Sequence, residues 1–459
     1  MAWRGVARCG ASDQGIWRLA LRLRRRAPKQ RLCPCSEPAL DRRSRHHVVG
    51  GLCQTGGAGG PGWGLLSKWR LSPPGSGPHN GRVIRPRKLL RAGLALALGG
   101  LVALAALEVA LRSTARPVPF HLRAPRLRQL LNTDPSLMPG IEGPGLFSTN
   151  SVGLRGPEWG ERGAQARVLC LGGSTTECLY LDDSETWPSL VAAQLRSTAP
   201  PRDVWVGAAG VTGYSALHHL EFARASELVR EVDCVVVMLG VNDLWQDLLA
   251  KSDEDRLAMG APRGIQQVRV VAWAHAQYDR LRASMGGLEH WAYPMPSLRA
   301  ERVAATKRDD PPPMEAALER FANRVEALAT VLRERGVRPV FVTQPVRWAA
   351  GQSPELEASY WFGWLPDGAY LSTASLRELM ERYNARTRER CAALGVPCVD
   401  LDELNGGSEW FFDDCHFTEA GAREVARRVA AGLSAVMSDA VGDVLKPSDV
   451  DATSRSQAR

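Results

Sequence analysis

The feature of this sequence that most constrains its fold is a series of short apolar runs separated by longer amphipathic segments. Runs such as Val235–Leu239 and Val340–Val342 lack the polar–apolar alternation of a half-buried strand, which is typical of strands covered on both faces. Gly336 and Gly395 follow two of the amphipathic segments, where glycine commonly ends a helix. Strands that alternate with helices predict a parallel sheet with helices on both sides, a three-layer α/β/α sandwich. The predicted strands are residues 167–172, 203–208, 233–239, 338–345 and 396–401, and the predicted helices are residues 187–197, 215–230, 314–335, 374–394 and 418–437.

One apolar segment, residues 92–111, lies outside this alternating region and carries a single charge, Glu108. As a helix, its twenty residues would span about 30 Å, the thickness of a bilayer core. Five bases precede the segment closely and two follow it, which predicts a cytoplasmic N-terminus and a globular domain outside the cytoplasm, periplasmic or extracellular. A buried helix of a soluble core and a signal peptide cleaved near residues 113–115 are the alternatives. We expect a single-pass membrane protein.

Basic residues are concentrated at the start of the 459-residue chain. Residues 1–91 contain 19 Lys and Arg against three Asp and Glu, a net charge of +16. The remaining residues carry 39 bases and 46 acids, a net charge of −7, which argues against a nucleic-acid-binding surface there. Residues 1–80 are rich in Arg, Gly and Pro without a sustained period, so we predict a disordered basic extension. A mitochondrial targeting segment and non-native upstream translation are the alternatives.

Changes in composition also divide the rest of the chain. Two stretches interrupt the strand–helix pattern, and both contain aromatic residues and proline. We assign the globular domain to residues 145–437, with insertions at about 245–313 and 347–373, a linker to residues 112–144, and a disordered tail to residues 438–459.

The cysteines predict no metal site. Cys33 and Cys35 have the wrong spacing for a zinc knuckle or a redox pair, and no partner pair follows at finger spacing. Cys391 and Cys398 flank a predicted helix end and strand start, so they either form a disulfide in an exported domain or remain two buried thiols.

Polar side chains follow the predicted strands at their carboxyl ends, where open α/β sheets bind ligands. Ser174 comes directly after the first strand, and Asp413 and His416 lie three positions apart just before the last helix. A serine acts as a nucleophile only with a base in hydrogen-bond reach, and the base needs an acid that holds its tautomer. The spacing predicts that Asp413 orients His416 and that His416 faces Ser174. Asp414 is the competing acid, with a poorer geometry because it is closer to His416 in sequence.

Two further loops offer hydrogen-bond donors. The second strand ends in a segment with Gly210 and Gly213, which allows the backbone to approach a reacting centre and to turn an N–H toward it. The third strand ends near Asn242, whose side-chain amide can donate to a developing negative charge. Each of these patterns alone favours an ordinary turn.

Taken in order along the chain, the four segments resemble the four sequence blocks of the SGNH (GDSL-like) hydrolase family. The resemblance covers roughly residues 145–437. It includes residues 150–156, which are similar to a lead-in segment of many membrane-anchored bacterial members with a Gly-Gly-Ser-Thr first block. It implies a flavodoxin-like topology with a five-stranded parallel sheet.

The resemblance also implies roles for particular residues. Ser174 would be the nucleophile, His416 the base and Asp413 the orienting acid. The Ser174 N–H, Gly213 and Asn242 would form the oxyanion hole. Two positions depart from the family pattern. Gly173 replaces the usual aspartate, as in a recognisable subgroup, and Ala208 replaces an asparagine that braces the second loop in many members.

The expected activity is cleavage of small-molecule, lipid or carbohydrate esters through an acyl-serine, with no metal or organic cofactor. An O-acyltransferase that acts on envelope polysaccharide and a catalytically silent binding or assembly module are the alternatives. Clustered aromatic residues in the second insertion, Trp361 and Trp364 among them, are expected to bind substrate or to cover the core. The sequence does not predict an oligomeric state.

Overall fold

The computed structural model describes residues 86–114 and 120–444, apart from residues 121, 162, 164, 199–202 and most of 260–294. The predicted extension at residues 1–80 and the end of the predicted tail lie outside the described residues. The described strands are β1 (Arg128–Leu131), β2 (Gly145–Ser148), β3 (Ala166–Gly172), β4 (Val204–Gly210), β5 (Cys234–Met238), β6 (Lys307–Arg308), β7 (Arg338–Val342), β8 (Tyr370–Leu371) and β9 (Cys398–Val399). The described α-helices are α1 (Pro86–Thr114), α2 (Ser174–Glu177), α3 (Trp187–Ser197), α4 (Ala216–Ala225), α5 (Val241–Leu248), α6 (Asp253–Leu257), α7 (Met295–Ala304), α8 (Glu315–Glu334), α9 (Pro354–Glu357), α10 (Thr373–Leu394) and α11 (Glu419–Val444).

The main sheet has five parallel strands in the order β4-β3-β5-β7-β9. Successive residues of β3 face opposite layers, with Leu169 and Leu171 in one apolar core and Val168 and Cys170 in the other. Helices α4, α8 and α10 cover the first face, and α3 and α11 cover the second. Burial on both faces explains why these strands read as continuous apolar runs. The predicted three-layer α/β/α sandwich with a flavodoxin-like sheet is confirmed.

The strand order places a crevice at the end of β3. The chain passes from β3 outward to β4 on one side, and it then returns to β5 on the other side of β3. The loops that leave the carboxyl ends of β3, β4 and β5 therefore diverge and leave a crevice between them. Open α/β sheets bind ligands in a crevice of this kind.

Several boundaries differ from the predicted ones. Strand β7 ends at Val342 instead of continuing to residue 345, because the backbone N–H and carbonyl of Gln344 pair with the Asn384 side chain and not with a neighbouring strand. Helix α4 ends at Ala225, and a 3₁₀ turn at Glu227–Glu231 completes the predicted helical segment. Helix α11 continues to Val444, past the predicted end at residue 437. Gly395, at a φ of +58°, ends α10 as predicted.

Part of the predicted linker is structured. Strand β1 pairs in antiparallel fashion with β2, from Arg128 opposite Ser148 to Leu131 opposite Gly145. Gln129 and Leu131 of β1 are buried. Four residues are too few for a periodic pattern to stand out, so the sequence does not reveal this strand.

The two predicted insertions contact each other through a short parallel ladder. In this ladder β6 pairs with β8, and Lys307 lies opposite Tyr370. The first insertion begins inside α5, since that helix runs from Val241 to Leu248, and most of its middle lies outside the described residues. The ladder joins both insertions at one edge of the domain.

The described residues fall into two units, residues 86–105 and residues 106–444. Helix α1 contains the predicted apolar segment. Within it, residues Gly93–Leu111 are long and apolar enough to cross a membrane, and none of them is buried. Leu96, for example, is 79% exposed. Length and composition are what this helix shares with membrane anchors and signal segments.

Candidate active site

Ser174 is the first residue of α2 and lies directly beyond the carboxyl end of β3. The two preceding glycines allow a tight approach of neighbouring loops. A Cβ atom on Gly172 would lie 2.1 Å from Thr176 Oγ1, and one on Gly173 would lie 2.1 Å from Asn242 Nδ2. Both distances are far below van der Waals contact, so a side chain at either position would displace the Thr176 or the Asn242 side chain from its present place. The turn therefore presents a partly exposed Ser174 close to the loop that follows β5.

His416 and Asp413 lie on a tight turn before α11. A backbone bridge between Phe411 and Phe417 closes this turn. The Asp413 carboxylate is fully buried, and its Oδ1 accepts hydrogen bonds from the backbone N–H groups of Cys415 at 3.1 Å and His416 at 2.9 Å. The turn therefore fixes its own carboxylate in place.

The side chains of these three residues meet in one chain of hydrogen bonds. Asp413 Oδ2 lies 2.7 Å from His416 Nδ1, and His416 Nε2 lies 2.8 Å from Ser174 Oγ. Burial alone would lower the pKa of His416, but the adjacent Asp413 carboxylate raises this pKa above its ordinary value of 6.5. The arrangement can take a proton from Ser174 and stabilise the resulting imidazolium.

Asp414 points elsewhere. Its carboxylate is buried and accepts hydrogen bonds from the indole N–H of Trp348 at 2.7 Å and from the backbone N–H of Trp361 at 2.9 Å. Burial, reinforced by the neighbouring Asp413, raises the pKa of Asp414 to about 6. Asp414 thus anchors the second insertion, whereas Asp413 contacts His416.

The loops that carry Gly213 and Asn242 are linked to each other. Asn242 Nδ2 donates to the Tyr214 carbonyl at 2.9 Å, and Gln246 Nε2 donates to the Gly213 carbonyl at 2.8 Å. Asp243 accepts from the Ala216 N–H at 3.1 Å, and burial raises the pKa of Asp243 to about 7. Gly213 has a φ of +83°, a conformation that favours glycine. The structure therefore brings both predicted donor loops to the crevice beside Ser174.

A sequence profile of the GDSL-like lipase/acylhydrolase family matches residues 170–424, more than half of the chain. The matched segment begins in β3 and includes Ser174, Asp413 and His416. The chain belongs to the GDSL-like lipase/acylhydrolase family. It is thus an ester hydrolase of the SGNH/GDSL type by family.

Comparison with solved structures finds an α/β hydrolase and acetyl xylan esterases at low identity. An α/β hydrolase from the metagenome of Lake Arreo, Spain, is 13% identical, with a TM-score of 0.35 over 60% of this chain and 97% of that chain. An acetylxylan esterase from Geobacillus stearothermophilus is 12% identical, with a TM-score of 0.35 over 59% of this chain and 94% of that chain. A third, an acetyl xylan esterase, is 15% identical, with a TM-score of 0.32 over 59% of this chain and 99% of that chain. A search of curated proteins found no match.

Of the two tryptophans that the sequence suggests for substrate binding, the GDSL-like domain brings Trp361 to the relay. Its indole N–H donates to Asp413 Oδ2 at 3.1 Å, and its ring lies at 19° to the His416 ring with centroids 6.4 Å apart. Trp364 instead forms an antiparallel backbone bridge with Tyr370. Substrate binding by either residue stays a prediction.

Sequence reasoning missed several side chains that hold the Ser174 turn. Arg155 is buried, and its guanidinium donates to the carbonyls of Glu177 at 2.7 Å and Cys178 at 2.6 Å, at the carboxyl end of α2. Thr175 Oγ1 donates to Gln344 Oε1 at 3.0 Å. Arg155 could have been found from the sequence, because residues 150–156 resemble a lead-in segment of many family members. Gln344 had no such signal.

Asp413, Cys415 and His416 also place three metal-ligand atoms within 4.8 Å of one another. Burial raises the pKa of the Cys415 thiol well above its ordinary value, which disfavours the thiolate that a metal needs. The relay to Ser174 already uses the other two side chains. The expectation of metal-free chemistry stays a prediction.

Proposed function

We propose that this protein cleaves carboxylic esters through a covalent acyl-serine at Ser174. The observation that carries the proposal is the continuous contact from Asp413 through His416 to Ser174, with hydrogen bonds of 2.7 and 2.8 Å. A catalytically silent module would have no need of a buried carboxylate aligned on a half-buried histidine and a partly exposed serine.

In this mechanism Ser174 Oγ attacks the ester carbonyl while His416 Nε2 takes its proton. Asp413 holds the Nδ1–H tautomer and stabilises the imidazolium. His416 then returns the proton to the leaving alcohol, which leaves an acyl group on Ser174. Water attacks the acyl-enzyme with His416 again as base, and the carboxylic acid departs.

The negative charge of each tetrahedral intermediate would be held by the Ser174 N–H, the Gly213 N–H and the Asn242 amide. The amide nitrogen of Asn242 carries two hydrogens, and the bond to the Tyr214 carbonyl uses one of them. That bond fixes the amide plane, so the second hydrogen has a set direction. The close approach of Asn242 Nδ2 to the position of Gly173 places the amide beside the residue that precedes the nucleophile.

The substrates that we propose are O-acyl groups on carbohydrate or lipid. Acyl transfer to a hydroxyl of an envelope polysaccharide would use the same acyl-enzyme, with a sugar in place of water. The two activities differ in product. Incubation with an acylated sugar and an acceptor sugar should release free carboxylic acid if water is the acceptor, whereas a transferase should move the acyl group without releasing it.

The test of the proposed nucleophile is Ser174→Ala, assayed with short-chain aryl esters and with a fluorophosphonate probe. Hydrolysis should fall by about 10⁴-fold or more, since loss of a triad member has that effect, and labelling should disappear. Ser184→Ala is the control, because Ser184 is exposed and its hydroxyl contacts Asp182. Labelling that persists in Ser174→Ala would place the nucleophile elsewhere.

We also propose that α1 anchors the protein in a membrane as a single-pass, membrane-anchored member of the bacterial type, with the catalytic domain outside the cytoplasm. The exposed apolar stretch Gly93–Leu111 and the bases before it support this orientation. In a bacterial host the protein should resist a carbonate wash, and protease added to spheroplasts should digest the catalytic domain but spare residues 1–91. The double substitution Leu101→Arg and Leu104→Arg should release the protein from the membrane. Each charge at the centre of a membrane helix costs about 2.5–3.5 kcal/mol of insertion free energy. Protection of the domain in intact spheroplasts would contradict the orientation.

A further inference from the structure

A buried carboxylate, Glu177, lies three residues after Ser174 and ends α2. Its side chain is 1% exposed. Glu177 Oε2 accepts hydrogen bonds from Thr212, at 3.0 Å from the backbone N–H and 2.5 Å from the hydroxyl. The other oxygen, Oε1, accepts from Arg123 Nε at 2.5 Å. One carboxylate thus connects the nucleophile helix, the loop after β4 and the segment before the domain.

A buried charge persists only where partners compensate its lost hydration. Here the compensation comes from the Arg123 guanidinium, which is 12% exposed, and from both donors of Thr212. Removing the charge of Glu177 would therefore weaken its hydrogen bonds with Arg123 and with Thr212. The three groups form a unit whose geometry depends on the carboxylate.

The loop that Thr212 belongs to rests directly on α2. A Cβ atom on Gly210, the last residue of β4, would lie 2.3 Å from the Glu177 backbone nitrogen. The next turn contains Gly213, the proposed backbone donor to the oxyanion. Thr212 immediately precedes Gly213, so a hydrogen bond that fixes the Thr212 N–H also fixes the peptide plane next to that donor.

Ala208 cannot supply such a brace from β4. Its side chain is a methyl group, and its backbone N–H and carbonyl pair with Arg155 at 2.8 and 2.9 Å. The hydrogen bonds to the Thr212 backbone and hydroxyl come from α2, through Glu177. The oxyanion loop is therefore tied to the same four-residue helix that carries Ser174.

We propose that Glu177 is a positioning residue that fixes the Gly213 N–H relative to Ser174 by holding Thr212, with Arg123 as its counter-ion. This inference rests on the proposed function, because it assigns Gly213 to the oxyanion hole. Glu177 does not touch the reacting atoms. Its effect is on the alignment of a donor that acts in the transition state, so its loss lowers kcat more than it raises KM.

The test compares Glu177→Gln, Thr212→Val and the control Glu158→Gln by turnover per active site, with the sites counted by complete reaction with a fluorophosphonate. Glu158 contacts Ser151 in the lead-in segment and no residue of α2. Because a deleted donor costs about 10²–10³-fold and a displaced donor less, Glu177→Gln should lower kcat by about 10- to 100-fold with KM within about threefold. Thr212→Val keeps the backbone bond to Glu177 and should lose about three- to tenfold. The double variant should lose less than the product of the two single losses.

Counting the active sites separates positioning from stability. A residue that only stabilises the fold would reduce the number of titrated sites and leave the turnover of each site unchanged, so wild-type turnover per site in Glu177→Gln would overturn the inference. If Glu177→Gln does not fold, Thr212→Val decides by the same criterion, and unchanged turnover per site would again overturn it. Wild-type protein that neither hydrolyses esters nor reacts with the probe would instead reject the proposed function.

Discussion

Replacing Asp413 by asparagine should nearly abolish ester hydrolysis while leaving the fold in place. Asp413 Oδ1 accepts two backbone N–H groups, so the asparagine oxygen will take that side. The new NH₂ group then occupies the site of Oδ2, 2.7 Å from His416 Nδ1 and 3.1 Å from the Trp361 indole nitrogen. An NH₂ group donates to Nδ1 and so selects the tautomer that carries its hydrogen on Nε2, because the asparagine oxygen, 2.9 Å from the same nitrogen, is already held by the two backbone N–H groups. His416 then points a hydrogen at Ser174 and cannot accept the serine proton.

The size of the expected loss in kcat follows from the change of the His416 tautomer. A triad whose acid becomes an amide loses about 10⁴-fold in kcat because the base is held in the wrong tautomer. At about 1.36 kcal/mol per tenfold, that loss is about 5.4 kcal/mol of transition-state stabilisation. The Asp413 carboxylate is fully buried, so bulk solvent does not offer a replacement acceptor to His416.

Asp414→Asn is the matched control, with the same chemical change one residue away. Asp414 accepts from Trp348 and Trp361 and anchors the second insertion, so an NH₂ group there leaves one buried donor without an acceptor. We expect a loss of about 1–3 kcal/mol in the free energy of unfolding and less than about tenfold in kcat. Aryl ester hydrolysis, with thermal unfolding measured in parallel, separates the two variants. Equal losses of kcat, or a larger loss in Asp414→Asn, would refute the assignment of Asp413 as the orienting acid.

Three further predictions concern the same crevice. Asn242→Ala should lower kcat by about 10²–10³-fold with little change in KM, and a change confined to KM would mean that Asn242 positions substrate. Because neutral His416 is the base and its pKa is raised above 6.5, kcat/KM should rise with pH through a midpoint above that value; a midpoint below 6.5 would contradict the dominance of Asp413 over burial. Trp361→Phe removes the indole donor to Asp413 and should lower kcat up to about tenfold, whereas Trp364→Phe should not. A changed acyl-chain preference in either variant would support substrate binding by the aromatic segment.

The parts of the fold that could be predicted are those with a strong local signal. Strands β3, β5 and β7 are covered by helices on both faces, so nearly all of their side chains are apolar. Their sequences therefore appear as continuous apolar runs, which predict a sheet between two helical layers. The predicted end of β7 at residue 345 is wrong because the backbone of Gln344 pairs with the side chain of Asn384, and no local pattern reveals that contact. Strands of two to four residues, such as β1 and β6, carry no period at all.

In the candidate site, the residues with a local signal could be predicted, and the contacts between distant segments could not. Ser174, Asp413 and His416 follow from strand ends, from turn spacing and from resemblance, and the structure brings them into hydrogen-bond contact. The contacts of Glu177 and Gln344 could not be predicted, because each joins segments far apart in the chain. Thr175 and Gln344, for example, are separated by 169 positions. No local pattern specifies a partner at such a distance.

Gly173, which replaces the aspartate usual in the family, lies against the loop that carries Asn242. A Cβ atom on residue 173 would lie 2.1 Å from Asn242 Nδ2, so any side chain there and the present position of the Asn242 amide exclude each other. Asn242 is in turn held by the Tyr214 carbonyl, in the loop that Glu177 ties to α2 through Thr212. An aspartate at position 173 would therefore require the Asn242 amide to move from its present position. In this chain the Asn242 amide lies against the backbone of the residue before the nucleophile, and a side chain at position 173 would displace that amide from the place where the Tyr214 carbonyl holds it.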